Sequence, residues 1–126
     1  MENKILYKDE CYVIQGAIFD VYKEVGCGFL EAIYHECLSR EFTNKGIPFL
    51  NHPELPVFYK GDLLPLRFQP DFLCFEKIIV EIKATKELVA DHRAQIQNYL
   101  RISTKRLGLL VNFGHYPRVE IERIVL

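Results

Sequence analysis

Pro70-Asp71-Phe72-Leu73-Cys74-Phe75-Glu76-Lys77-Ile78-Ile79-Val80-Glu81-Ile82-Lys83 is the stretch on which the fold turns. Two β-prone runs, residues 72–75 and 78–83, stand on either side of Glu76-Lys77, so they read as adjacent antiparallel strands in the centre of a sheet. Glu81 and Lys83 lie two apart and leave the same face of their strand. Charge inside an apolar run is costly when buried, so either that face meets solvent at the strand end or the charges build a site. Asp71, ten positions before Glu81, favours a site if the hairpin brings the two carboxylates together. Parity sets the condition. Directly opposed residues on antiparallel strands share a face, and a two-residue loop at Glu76-Lys77 would oppose Asp71 to Ile82. A paired site therefore requires an odd loop, Phe75 to Lys77, or a bulge.

Two neighbouring carboxylates with a lysine have the composition of a metal site. Oxygen donors suit magnesium, which is held by one or two carboxylates and keeps several waters. The ion would polarise a phosphoryl oxygen and lower the pKa of a bound water, while Lys83 would orient that water or stabilise charge on the pentavalent phosphorus. Phosphodiester hydrolysis fits these parts.

Outward from this stretch, apolar residues recur at three and four through residues 10–25, which predicts a helix, and Gly26-Cys27-Gly28 breaks it. A second helix follows, with Leu30, Ile33, Tyr34, Cys37, Leu38 and Phe42 in its stripe, and Asn44-Lys45-Gly46 ends it. Prolines punctuate residues 47–66, where residues 56–62 read as a strand entering a hairpin turn. Helical period returns over residues 88–100, and strands are expected at residues 106–112 and 119–126, separated by a turn at Gly114-His115-Tyr116-Pro117. The order is two helices, four strands, a helix and two strands. This is an α/β (α+β) arrangement around one mixed sheet, and 126 residues suit one domain.

Composition narrows the function. Hydrophobic residues at 49% are too many for a disordered chain, and sixteen Lys plus Arg against seventeen Asp plus Glu exclude a uniformly basic coat for nucleic acid or anionic lipid. No apolar run approaches the roughly 20 residues of a membrane span, and residues 1–10 hold charges rather than a signal-peptide core, so a cytoplasmic protein without a membrane partner is expected. The cysteines Cys11, Cys27, Cys37 and Cys74 contain no C-x-x-C pair and are expected as reduced, mostly buried thiols. A zinc site of Cys27, His35 and Cys37 fits no standard spacing.

On the third helix His92, Gln95 and Tyr99 fall within the stripe defined by Leu88 and Ile96 and should face inward, as a structural hydrogen-bond network or as part of a site. Glu31, on the edge of the second helix's stripe, is either a first-turn acid favoured by the helix dipole or a further ligand. Residues 83–106 are net +4 and the remainder net −5. A basic helix that includes Arg93, beside acidic ligands, describes a phosphate-tracking groove, and equally a solvated helix.

Read together, these residues resemble the PD-(D/E)XK nuclease superfamily, with Pro70-Asp71 and Glu81-Ile82-Lys83 standing for its signature. Gly28-Phe29-Leu30-Glu31-Ala32-Ile33-Tyr34 is similar to the signature of the GxxExxY family within it, and the similarity continues through Pro56-Val57-Phe58-Tyr59-Lys60-Gly61, residues 92–100 and residues 108–114. The resemblance implies a restriction-endonuclease-like αβββαβ core, a mixed central sheet flanked by helices, with an extra N-terminal helix and C-terminal strand. It implies Asp71, Glu81 and Glu31 as metal ligands with the Ile82 carbonyl, Lys83 as catalytic lysine, and Mg2+ or Mn2+ as cofactor. Gln95 and Tyr99 resemble the Q-x-x-x-Y element of the RecB-like branch, next to active site and nucleic acid. Asn51-His52 stands where a glutamine is usual, which leaves His52 without a role.

The sequence thus predicts a divalent-metal nuclease with catalytic Glu31, Asp71, Glu81, Lys83 and Gln95, contacting DNA through His92, Arg93 and Tyr99. A homodimer or larger complex would give so small a domain more surface against a duplex. The competing reading is a catalytically silent nuclease-fold module that binds nucleic acid or a partner protein. A small-nucleotide phosphoesterase would need a phosphate loop, and no Gly-rich one is present.

Overall fold

The computed structural model describes residues 5–126, so Glu2 and Lys4 of the charged N-terminal stretch lie outside the described residues. Apolar side chains at helical spacing bury one face of α1 (Lys8–Val25), through Cys11, Ile14, Ala17, Ile18 and Val21, and of α2 (Glu31–Asn44), through Tyr34, Leu38 and Phe42. Between them Gly26 and Gly28 take φ of 70° and 107°, left-handed values that let the chain reverse at once. Leu30 and Ile33, expected in the buried stripe, are exposed. Leu30 is the N-cap of α2, and Ile33 points about 100° away from Tyr34, which sets the buried face.

Residues 47–66 hold one strand more than the prolines suggest. β1 (Phe49–Asn51) joins the main sheet, whereas β2 (Leu55–Tyr59) and β3 (Asp62–Phe68) make a separate hairpin. Its Lys60-Gly61 turn has both φ positive, 49° and 84°, as tight hairpins require. Then come β4 (Phe72–Cys74), β5 (Ile78–Lys83), α3 (Ala90–Ser103), β6 (Leu107–Asn112) and β7 (Glu120–Val125). The sheet order is β1-β4-β5-β6-β7. β5 and β6 run parallel, joined by α3 as the crossover, and the other neighbours are antiparallel. Without α1, the hairpin and β7, the remainder is helix, three strands, helix, strand, the expected αβββαβ core.

The strands alternate between two layers of packing. α1 and α2 cover Phe72, Cys74, Ile78, Val80, Ile82, Leu107, Leu109 and Val111 on one face. On the other face Leu88, Ile96 and Leu100 pack on Leu73, Ile79 and Leu110. β5 and β6 are covered on both sides, which is why they read as continuous apolar runs. All four cysteines are free thiols, with Cys27 and Cys37 only half-buried, and burial pushes the Cys74 thiol up to about 12. Among the described residues no helix is long and apolar enough to cross a membrane.

The chain leaving β5 is clamped by the end of β6. The Asn112 side chain, fully buried, accepts the N–H groups of Thr85 and Gly114 on Oδ1, each at 3.0 Å, and donates to Glu120 Oε1 at 2.9 Å. The Phe113 N–H bonds the Lys83 carbonyl at 2.9 Å. A Cβ on Gly114 would lie 2.4 Å from both the N and the O of Thr85, so only glycine fits there. Gly114→Ala should destabilise the fold by about 1–3 kcal/mol, read from chemical denaturation. Unchanged stability would mean that residues 83–85 are not clamped.

Candidate active site

Three residues, Phe75, Glu76 and Lys77, connect β4 to β5, and the register pairs Phe72 with Val80, Leu73 with Ile79 and Cys74 with Ile78. Phe75 and Glu76 adopt φ of 55° and 60° to close so short a loop. The odd loop that a paired site requires is therefore present, and continuing the register sets Asp71 opposite Glu81. Their hydrogen bonds are reciprocal. The Asp71 N–H donates to Glu81 Oε1, and the Ile82 N–H donates to Asp71 Oδ2, both at 2.7 Å. The same register sets Pro70 opposite Ile82. Proline has no N–H, so the ladder offers the Ile82 carbonyl no donor from that residue.

Glu81 is 6% exposed. Burial first, and the Asp71 carboxylate next, push its carboxyl up to about 8; Glu31 adds to the rise, while the Asp71 N–H and the Lys83 ammonium oppose it. Burial and then Glu81 also hold the Tyr99 phenol above its ordinary value. Lys83 Nζ donates to Gln95 Oε1 at 3.0 Å, and Gln95 Nε2 donates to the Tyr99 hydroxyl at 3.1 Å. The third helix thus fixes the lysine through a chain of two hydrogen bonds, and Tyr99 is itself stacked on Phe68 of the hairpin at 4.9 Å.

Glu31 arrives from the other side of the sheet. It is the first residue of α2 and lines a groove of about 340 Å³ with Ala32, His35, His52, Asp71 and Ile82. Tyr34, fully buried, fastens the turn before it: its hydroxyl donates to the Gly26 carbonyl at 2.6 Å and accepts the Phe29 N–H at 3.3 Å, with the ring stacked on Phe113. Gly28, Glu31 and Tyr34 therefore divide the labour of bending, lining and anchoring.

Other sequence-predicted contacts are engaged elsewhere. His92 Nδ1 accepts the Val89 N–H at 3.1 Å and so caps its own helix. Arg93 makes a bidentate pair with Glu122 at 2.6 and 2.7 Å, on a strand two removed from Glu81. Lys105 bonds the Glu76 carbonyl, and Arg101 bonds Asn98. The basic segment is thereby largely tied to the protein itself. The sequence assigns Asn112 and His52 no role at a site and offers His35 only within a zinc set with Cys27 and Cys37. A helical count would have flagged His35, one turn after Glu31. Ligand atoms of His35, His52 and Asp71 lie within 4.8 Å of one another, the one such group among the described residues, and it does not include Cys27 or Cys37.

The donor chemistry fits a divalent ion. Burial first, and then the Asp71 carboxylate, raise the Glu81 carboxyl; a cation would neutralise the charge that the pair shares, and the donors are oxygens. A model of the PD-(D/E)XK nuclease superfamily matches residues 8–124. The chain belongs to the PD-(D/E)XK nuclease superfamily. Members of this superfamily typically use divalent metals. A structure described as "Crystal structure of SSO0001" superposes with a TM-score of 0.59 at 18% identity, over 94% of this chain and 57% of that one. That likeness bears on the fold alone, which is restriction-endonuclease-like, and the chain spans little more than half of that protein's length. No curated protein matches in sequence.

Because the folded state raises the Glu81 pKa, it binds a proton that the unfolded chain has already lost between about pH 4.5 and 8. Stability of the metal-free protein should therefore fall across that window. Glu81→Gln, which keeps an acceptor for the Asp71 N–H, should raise Tm strongly at pH 8.5 and little at pH 4.5. Equal gains at both values would show that no buried charge is being relieved.

Proposed function

We propose that this protein is a divalent-metal-dependent nuclease that hydrolyses phosphodiester bonds in DNA, and that it is a GxxExxY-type member of its superfamily. The observation that supports this reading is the opposition of Asp71 and Glu81 across one ladder, each tied to the other's strand, with Lys83 two residues on and on the same face. Asp71, Glu81 and Glu31 would hold magnesium or manganese together with the Ile82 carbonyl. When bound, such an ion polarises a phosphoryl oxygen and acidifies a water.

The chain's own residues supply the rest. One oxygen of each carboxylate is occupied by a main-chain N–H, so the other is left to face the ion, and neither side chain is free to rotate away. Lys83 presents a fixed ammonium where negative charge develops on the phosphate, and Gln95 keeps it from collapsing onto Glu81. Tyr99 positions Gln95. The reading of the fold as a silent binding module is disfavoured by the completeness of this set, since a domain without chemistry has no need to hold Lys83 beside a pair of carboxylates.

Purified protein with magnesium, then manganese, should cut DNA, and chelation should stop it. Asp71→Ala and Lys83→Ala should each lower the rate by roughly 10²-fold or more, and Gln95→Ala by less. Cutting that survives both of the first two substitutions would belong to a contaminant. Absence of cutting together with absence of divalent-ion binding by calorimetry would replace the nuclease with the binding module.

A further inference from the structure

Beside the carboxylates stands a column of rings that the proposed hydrolysis does not use. Phe72 and His35 are stacked at 4.3 Å between centroids and 10° between planes, and His35 and His52 at 4.2 Å and 2°. Phe72 is fully buried, His35 half-buried and His52 exposed, so the column rises from the core to the rim of the groove that Glu31 and Asp71 also line. The main chain holds its outer ring in place. The His52 N–H donates to the Asp71 carbonyl at 2.9 Å, and His35 Nε2 lies 3.3 Å from the same oxygen. The His52 carbonyl accepts from Gln69 Nε2, and its φ is 47°, a left-handed value that a side-chain-bearing residue keeps only where its surroundings enforce it.

A metal ion shared by His35, His52 and Asp71 is the first use that suggests itself, since the three lie close enough. The parallel stacking argues against it. An imidazole nitrogen's lone pair lies in the ring plane, and an ion about 2.1 Å from a nitrogen of each of two face-to-face rings would sit far outside both planes. A flat, exposed ring supported from beneath by two others meets a different need. Unpaired bases are held by stacking on aromatic side chains, histidine included, because every base has a π-face.

We infer that His52, backed by His35 and Phe72, is the stacking platform for an unpaired nucleobase of the substrate strand. The platform rests on the nuclease reading only for the adjoining phosphate, which Asp71 and Glu81 would receive through the bound ion. The Asp71 carbonyl that fixes the ring belongs to the same residue as the carboxylate, so base and phosphate are positioned by one rigid unit. Inside an intact duplex both faces of a base are already covered by its neighbours. The preferred substrate is therefore single-stranded or frayed DNA.

The test uses the full chain and a single-stranded oligonucleotide containing 2-aminopurine, whose fluorescence is quenched by stacking, with its blunt duplex as comparison and calcium in place of magnesium. His52→Gly removes the ring and tolerates the left-handed backbone, and His52→Phe restores a flat ring without imidazole chemistry. Thermal melts establish that both variants fold. Wild-type protein should quench and bind the single strand in preference to the duplex. His52→Gly should lose the quench and weaken binding roughly tenfold, and His52→Phe should recover both. Binding that is indifferent to His52→Gly, a Phe variant that recovers nothing, or duplex bound as tightly as single strand would each overturn the platform. Quenching that depends on His52, with neither cleavage in magnesium or manganese nor divalent-ion binding, would overturn the hydrolytic reading and leave the platform standing.

Discussion

Asp71 is held at four points, and the site depends on that. Its N–H goes to Glu81, its carboxylate takes the Ile82 N–H, and its carbonyl faces both the His52 N–H and His35 Nε2. Two carboxylates brought together in a half-buried place repel, and left to themselves such side chains would turn apart. Here each is bonded to the other's strand, so separating them means breaking two hydrogen bonds between a carboxylate and a main-chain N–H. The repulsion is contained by the sheet, and it adds to the burial that already raises the carboxyl of Glu81.

The surrounding elements keep this arrangement from drifting. β5 is the central strand, buried on both faces, with Glu81 and Lys83 at its carboxyl end where the crossover to α3 opens a crevice. Asn112 and Gly114 then grip the chain immediately after Lys83, which stops the lysine's backbone from relaxing toward solvent. α3 contributes Gln95 and Tyr99 one turn apart, so one rigid helix steers the ammonium. α2 brings Glu31 from the opposite layer. Asp71 and Glu81 thus meet beside the end of β5, and Glu31 lines the adjoining groove without all three carboxylates lying within 4.8 Å of one another.

Much of this arrangement is legible in the sequence. Strand periodicity is two, so the requirement that Asp71 face Glu81 translated directly into an odd loop, and Phe75 to Lys77 supplies it. The long helices were legible because their stripes extend over several turns. β1 was not, since three residues show no alternation, and its pairing with β4 is a tertiary fact. His92 and Arg93 illustrate the other limit. Helical phase says which way a side chain leaves the axis, not which partner will claim it, and a local cap and an acid on a neighbouring strand claimed these two. Asn112 looked like the last residue of an apolar run, because the groups it satisfies, Thr85 and Gly114, include one 27 residues away.

The hairpin of β2 and β3 leaves the main sheet after β1 and rejoins it just before Asp71, and it stacks Phe68 on Tyr99. Tyr99 is the far end of the relay that fixes Lys83. The Lys60-Gly61 tip is consequently the outer end of a lever whose inner end rests on the lysine's support. A load on the tip is therefore carried through Phe68 and Tyr99 to the groups that hold the Lys83 ammonium.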